Sequence, residues 1–290
     1  MKTTSSPLVT IGIPVYNGEM FLEDTIRSIL NQTFTDYTLI IMDDGSTDRS
    51  EEIVRKFDDP RIRFISDGKN KGMSIRLNEI TELSTTPFMA RMDADDIMHY
   101  SRLERQMSIL TDHPEIDVLG TNAYSIDEHN RVYGLRMPAG CEIIDTDKFI
   151  HPSITGKTEW FRNNLYDPEA RRIEDIELWQ RAKPWSVFKC LNEPLLFYRE
   201  FGGEYYKKYR KGIKSFFHVS SKRIQAKDYK GAVHWFIRGS KYIVRYLYYW
   251  GNNKIGKEDL VVRGRSIPLD NEDRITEKNK AQRDLSLSIR

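Results

Sequence analysis

Four apolar runs, each followed by a helical period, leave this chain few ways to fold. Leu8-Val9-Thr10-Ile11-Gly12-Ile13 is a continuous β-type run that stops at Pro14, with Val15-Tyr16-Asn17-Gly18 as its turn. Phe21, Leu22, Ile26, Ile29 and Leu30 then recur at helical spacing, which predicts a helix over 19–31. Tyr37 to Met42 is a second run and ends in Asp43-Asp44-Gly45-Ser46-Thr47-Asp48. There Ser46 or Thr47 is placed to cap a helix carrying Ile53, Val54 and Phe57. Arg61 to Ile65 is the third run, Asn70-Lys71-Gly72 leads into a helix with Ile75, Leu77 and Ile80, and Thr86 to Ala90 is the fourth. Unbroken apolar runs suit strands covered on both faces. Strand alternating with helix means an α/β chain with a parallel sheet and right-handed crossovers.

The fourth run meets Arg91-Met92-Asp93-Ala94-Asp95-Asp96, three carboxylates within four residues. Like charges this close repel, and a buried carboxylate needs a partner. The cluster is stable in water or around a cation. In an extended segment Asp93 and Asp95 share a face, so both reach one hard divalent ion; a solvated acidic turn is the other reading. Ligands of open α/β sheets bind outside the carboxyl ends of the strands. Three of the four strands end in polar turns, at Tyr16-Asn17, Asp43-Asp44 and Asp93-Ala94-Asp95, so these turns are expected to line one crevice.

Beyond the cluster, Ser101 opens a helix, 116–124 reads as a strand and 131–136 as an outlying β element. His151-Pro152-Ser153 and 157–163 carry no strong period. Glu174-Asp175 opens a helix with acids at its positive end. Val187 to Cys190 and Leu195 to Tyr198 look like two short strands. The character changes after Gly203: from Glu204 to Trp250 there are 12 Lys/Arg against two acids, and 13 aromatics, at helical spacing. The polar residues 251–290 are expected to form a poorly ordered tail.

The net charge of +2 over 290 residues selects no nucleic-acid partner. Cys141 and Cys190 are too few for a disulfide framework and read as free thiols in a reducing compartment. Met1 to Pro7 has no apolar h-region, so no secretory signal is expected, and no apolar run is long enough to span a bilayer.

Taken together, the segments 9–17, 41–48, 70–72 and 93–96 resemble, in order and spacing, the inverting nucleotide-sugar glycosyltransferases of the GT-A fold, family 2. The resemblance is strong over about 7–122, the nucleotide-sugar half, and thinner to about Arg199 within the acceptor half, 123–203. It implies a GT-A nucleotide-diphospho-sugar transferase fold, Rossmann-like, with a C-terminal helical extension. It implies that Pro14 and Tyr16 pack against the donor's base and that Asp44 accepts from its ring N–H. It places Asn17, Asp43 and Ala94 in the same nucleotide-sugar loops, although Asp43 suits ordering its turn. Asp93 would lie toward the ribose and Asp95 would be the ligand to Mn²⁺ or Mg²⁺, with Asp93 beside it. Arg76 either approaches the base or phosphates or is an ordinary exposed helix arginine. Asp175, in the Glu174-Asp175 pair, would be the base, with His151 and Glu174 on the acceptor side. Asp175 and Glu174 could instead merely complement a helix N-terminus.

Processive family members carry Gln-X-X-Arg-Trp and spanning helices. Here the comparable residues are Leu178-Trp179-Gln180-Arg181-Ala182, which favours single transfer. A nucleotidyltransferase would need a Gly-rich first loop that this chain lacks, and a non-catalytic binding protein would not need every acid. The resemblance implies a nucleotide-sugar donor, a carbohydrate or lipid-linked sugar acceptor, and cell-surface polysaccharide assembly in the cytoplasm. The basic aromatic segment suits helices lying on an anionic membrane, with Trp235, Tyr248 and Trp250 near headgroup level. A hairpin packed on the catalytic domain and a dimer interface stay open beside it.

Overall fold

The computed structural model describes residues 7–137, 142–200 and 205–290. Cys141, the boundary at Gly203 and Glu204 lie outside them. In the first half β1 (Val9–Val15), α1 (Leu22–Leu30), β2 (Tyr37–Asp43), α2 (Ser50–Val54), β3 (Ile62–Ser66), α3 (Met73–Leu83) and β4 (Phe88–Arg91) alternate as the sequence requires. β4, β1, β2 and β3 lie side by side and parallel, Val9 opposite both Tyr37 and Phe88. Successive residues of β2 point to opposite faces. Leu39 and Ile41 join the cluster under α1, while Ile40 and Met42 join the one under α3. That double burial is why the strands are unbroken apolar runs.

The second half is β5 (Ile97–Met98), α4 (Arg102–Asp112), β6 (Val118–Ile126), β7 (Val132–Leu135), β8 (Ile143–Asp145), β9 (Thr155–Lys157), α5 (Thr158–Asn163), α6 (Glu174–Ala182) and β10 (Phe188–Arg199). Here the sheet turns mixed: β9 is antiparallel to β4 and β6, and β10 runs parallel to β6. The two short strands expected at 187–198 are one strand, β10, with register shifts around Pro194 that absorb the polar Asn192-Glu193 step. Residues 158–163 form a helix after all, because Trp160 and Phe161 bury together beneath it. The cap of α2 is neither Ser46 nor Thr47; Asp48 takes the backbone N–H of Ser50 at 3.0 Å.

The last part is α7 (Tyr205–Gln225), α8 (Tyr229–Lys254), α9 (Glu258–Arg263), β11 (Ile267–Pro268) and α10 (Ile275–Ser288). α7 and α8 form an antiparallel hairpin. Gly239 lies where an added Cβ would be 2.9 Å from Phe216 Cβ, so the backbones approach closely there. Residues after 251 are not a flexible tail. β11 pairs with β7 at the sheet edge, and α10 buries Ala281 and Leu285 against Ile97, Tyr124, Val132 and Phe197. Its polar side chains also find partners: Gln282 Oε1 accepts from Val132 N–H at 3.0 Å, and Ser288 Oγ accepts from Tyr100 N–H at 3.1 Å. The expectation failed because few apolar residues suffice when polar side chains bond to strand edges.

Leu285→Ala is therefore expected to destabilise the whole protein by about 3 kcal/mol, read from urea unfolding. An unchanged midpoint would mean that α10 does not dock.

Candidate functional site

The loops after β1, β2 and β4 meet at one end of the sheet. Asn17 adopts a left-handed backbone, φ 51°. Its N–H donates to Ser46 Oγ at 2.9 Å and its Oδ1 accepts from Thr47 N–H at 2.8 Å, which ties the first loop to the second. Pro14 sits in β1 opposite Met42, and Tyr16 beside it is exposed. Asp43 orders its own turn, accepting from Ser46 N–H at 3.2 Å and Ser66 Oγ at 2.8 Å.

Asp44 is buried and holds the third loop in place. Its Oδ1 accepts from Lys71 N–H at 2.7 Å, Gly72 N–H at 3.1 Å and Arg76 Nε at 2.9 Å. Among the described residues its Oδ2 accepts only from Gly72 N–H at 3.0 Å, which leaves acceptor capacity on that oxygen. Gly45 takes φ +74°, and a Cβ there would lie 2.9 Å from the Lys69 carbonyl carbon. Arg76 is not an exposed helix arginine; it is 1% exposed. It donates to Asp44, Asp67, Glu79 and the Lys69 carbonyl, and its remaining N–H points at Met42 Sδ, so its guanidinium is committed to the loops rather than to base or phosphate.

Residues 93–96 form a turn rather than an extended segment. The carboxylates still converge: oxygens of Asp93, Asp95 and Asp96 lie within 4.8 Å of one another. Asp93 pairs with Arg91 Nη2 at 2.8 Å. Asp96, not singled out beforehand, accepts the Arg199 backbone N–H on Oδ1 at 2.8 Å, while its buried Oδ2 has no partner. Asp95 meets solvent, yet protein closes round its carboxyl enough to weaken hydration. Burial first, then Asp93, pushes it up to about 6. Burial, then Asp95 and Asp93, holds Asp96 well above the usual carboxylate range. A crowded set of hard oxygens with one orphan acceptor fits Mn²⁺ or Mg²⁺.

Buried arginines surround the cluster, and sequence reading missed them because arginine is usually a surface residue. Arg199, at the end of β10, donates from Nε to the Asp95 carbonyl at 2.6 Å and from Nη1 to the Asp127 carbonyl at 2.8 Å. Arg102 holds the end of β4 to the His151-Pro152-Ser153 turn, donating to the carbonyls of Arg91, Pro152 and Ile154 at 3.0, 2.8 and 3.1 Å. Among the described residues, Arg91 keeps two buried donors, Nε and Nη1, without partners. Lys208, on α7, lies with Arg199 within electrostatic reach of Asp95.

Glu174 and Asp175 stand at the N-terminus of α6, with Arg91 and Asp93 both in electrostatic reach of Asp175. Burial first, then Asp175, pushes Glu174 up to about 7, and burial likewise raises Asp175. His151 Nε2 lies 2.7 Å from Tyr166 Oη. Burial and then Arg91 hold it well below the usual imidazole range, so it is neutral. Thus Arg91 lies within electrostatic reach of both Asp93 of the acid cluster and the Glu174-Asp175 pair. A concavity of about 480 Å³ lined by Asp117, Trp160 and Trp185 holds none of these groups.

This arrangement is that of a GT-A nucleotide-sugar transferase. The profile of "Glycosyl transferase family 2" matches residues 10–174, and the chain belongs to that family. An uncharacterized glycosyltransferase of Methanocaldococcus jannaschii is 31% identical, covering 67% of this chain and 71% of that one. The putative glycosyltransferase EpsE of Bacillus subtilis is 33% identical, covering 61% and 67%. Among solved structures, the mannosyltransferase PcManGT of Pyrobaculum calidifontis, in complex with GDP-Man and Mn²⁺, superposes with TM-score 0.59 at 14% identity, over 98% of this chain and 86% of that one. The S. aureus TarS fragment in complex with UDP-GlcNAc gives TM-score 0.59 at 17% identity, over 72% of this chain and 66% of that one.

The raised carboxylates set a pH signature. A group whose folded pKa exceeds its unfolded value stabilises the fold at low pH, and that stability is lost as pH rises through the folded value. For Asp95 the window runs from the ordinary range up to about 6. In chelator, the melting temperature is expected to fall between about pH 5 and about pH 7.5 and to recover at the higher pH with millimolar Mn²⁺. A melting temperature indifferent to Mn²⁺ at the higher pH would count against a metal at this cluster.

Proposed function

We propose that the protein is a metal-dependent, inverting, single-transfer hexosyl- or hexosaminyltransferase that uses a UDP-sugar or another nucleotide sugar. The observation that carries this reading is that Arg91, whose Nη2 pairs with Asp93 of the acid cluster, also lies within electrostatic reach of Glu174 and Asp175. The donor's base stacks at Pro14 and Tyr16 and donates its ring N–H to the free capacity of Asp44 Oδ2. Asn17 and Asp43 keep that loop in shape, and Arg76 serves the site by holding Asp44. Asp93 lies toward the ribose, with the Ala94 backbone beside it.

Asp95 and Asp93 would hold Mn²⁺ or Mg²⁺, with Asp96 the third oxygen donor on the same turn. Bound there, the ion supplies Lewis-acid stabilisation of the departing diphosphate. On the acceptor side Asp175 takes the hydroxyl proton as that oxygen attacks opposite the leaving group. Glu174 beside it and neutral His151 orient the acceptor. The acceptor is a carbohydrate or lipid-linked sugar of bacterial cell-surface polysaccharide assembly. The setting proposed is cytoplasmic, peripheral on the inner face of the membrane. A nucleotidyltransferase or a mere binding protein would not release UDP in an acceptor-dependent way.

Asp95→Ala is expected to weaken Mn²⁺-dependent UDP binding at least about a hundredfold in calorimetry, because the diphosphate loses its counter-charge. Unchanged affinity would remove Asp95 from the metal site.

Asp175→Asn should bind UDP as wild type does while transfer falls roughly a thousandfold. In the wild type the base must be ionised, and its pKa is raised. The transfer rate should therefore fall as pH drops while still above the ordinary carboxylate range, because burial raises Asp175. A variant within about tenfold of wild type would place the base elsewhere, at Glu174 first.

A further inference from the structure

The two faces of α8 are both apolar, and only one is covered. Trp235, Gly239, Tyr242 and Tyr249 pack on α7, with Trp235 and Tyr242 centred 5.7 and 4.7 Å from Phe216 and Tyr249 4.9 Å from Tyr209. Trp235 is 2% exposed, so it is a hairpin core residue and not one of the headgroup-level aromatics that the sequence suggested. Val233, Phe236, Ile237, Val244, Leu247 and Tyr248 fall on the opposite side, at spacings of three, four and seven that keep them on one stripe. All six are exposed, Val244 to 66%, Phe236 to 54% and Leu247 to 54%. A 26-residue helix runs about 39 Å, so this is a continuous apolar face of unusual length for a water-facing helix.

Charge decides what covers it. α8 has five Lys/Arg and no acid, and α7 has seven and no acid. Lys230, Lys241 and Arg245 line one edge of the stripe, are exposed, and have no ion-pair partner among the described residues. A second copy of the chain would meet this face through a two-fold axis and bring cation against cation. An apolar stripe bordered by unpaired cations instead matches a surface that is apolar within and anionic at its rim. No helix of the described residues is long and apolar enough to cross a membrane, so the hairpin can lie on a bilayer but not traverse it.

We propose that the outward face of α8 is an insertion surface for an anionic phospholipid bilayer, with Val233, Phe236, Val244 and Leu247 entering the acyl boundary and Lys241 and Arg245 at the phosphates. This deepens the proposed setting and rests on it only for its purpose, which is to bring the enzyme to a lipid-linked acceptor. The inner face of the hairpin gives that purpose a structural route. Phe216, Val219 and Trp235 bury against Ala170 and Ile173, and Ser215 Oγ donates to the Arg171 carbonyl at 2.8 Å. These residues immediately precede Glu174-Asp175, so the element that touches lipid is packed on the element that carries the proposed base.

The test is co-sedimentation of the full chain with vesicles of phosphatidylglycerol and phosphatidylcholine, against vesicles of phosphatidylcholine alone. Binding to the anionic vesicles only, weakened by salt, is expected. Lys241→Glu with Arg245→Glu should lower partitioning at least about fivefold for each cation removed. Phe236→Ser with Leu247→Ser should lower it at least as far. Both double variants should keep wild-type circular dichroism, melting temperature and Mn²⁺-dependent UDP affinity, since none of these side chains is buried. Equal partitioning of wild type and both variants would overturn the proposal. So would a failure of wild type to sediment with anionic vesicles. A concentration-dependent dimer by light scattering that Phe236→Ser with Leu247→Ser abolishes would overturn it in favour of a second copy. Loss of UDP binding in wild type would sink the catalytic reading while leaving the vesicle result intact, so the two failures are distinguishable.

Discussion

Three carboxylates at the end of β4 repel one another, and the rest of the catalytic half is arranged to keep them there. Arg91, Arg102 and Arg199 are each at least 95% buried around them. Burial opposes the charge on Arg102, pulling it down to about 9, and the nearby Asp96 carboxylate pushes back. At neutral pH all three remain charged, so the acids see a cationic shell. The compensation is incomplete, because Asp95 and Asp96 are still raised. An incompletely neutralised acid cluster is unstable alone and receptive to a cation. The arginines achieve something a solvated turn could not: they fix the carboxylates in position while leaving part of their charge unmet.

Two of those arginines also carry distant chain to the site. Arg102 brings the His151-Pro152-Ser153 turn to β4, and Arg199 brings the end of β10 to the Asp95-Asp96 turn and stacks on Phe21 at 4.1 Å. Glu200, next in sequence, is fully buried at its side chain between Arg136 and Arg265, whose Nη1 lies 2.8 Å away. Arg265 precedes β11, so the C-terminal segment is tied to the catalytic sheet by an ion pair whose carboxylate is buried, one residue from Arg199. Removing one partner of such a pair leaves a stranded charge, a far larger loss than a surface pair involves.

What the sequence made legible follows from range. The β1–β4 half was readable because double burial writes long apolar runs and the functional loops sit directly after them. Asp44 and Asn17 could be found, but not what holds them: Asp44 is fixed by Lys71, Gly72 and Arg76, about thirty residues on, and no local pattern encodes that. Arg76 was misjudged between ligand and surface because a single arginine at a helix start looks the same in either case. Residues 251–290 were misjudged for a related reason. Their hydrophobic content is low, but Gln282, Ser288 and Asn31 exchange hydrogen bonds that join residues more than a hundred positions apart. Local composition cannot report a partner supplied by the other end of the chain. The turn at 93–96 shows the opposite case: the expected extended geometry was wrong, yet the convergence of the acids was right, because a tight turn gathers neighbouring carboxylates as well as one pleat does.

The charge separation within the chain is itself a functional constraint. A net charge of +2 conceals a hairpin bearing twelve Lys/Arg without an acid on either helix, and a catalytic body that is acidic in balance. If the hairpin's cations existed only to neutralise the body, they would be paired with it, as Lys222 is with Asp167 at 2.7 Å. Lys230, Lys241 and Arg245 lie on the far helix, turned from the body and beside exposed apolar side chains, where attraction to the acidic crevice is screened by distance and salt. Lys208 on the near helix lies instead within reach of Asp95. The hairpin therefore presents cations in two directions, inward to the crevice from α7 and outward from α8. Under the proposed function, that division would separate a contribution to the acid cluster from a contribution to membrane docking, within one supersecondary unit.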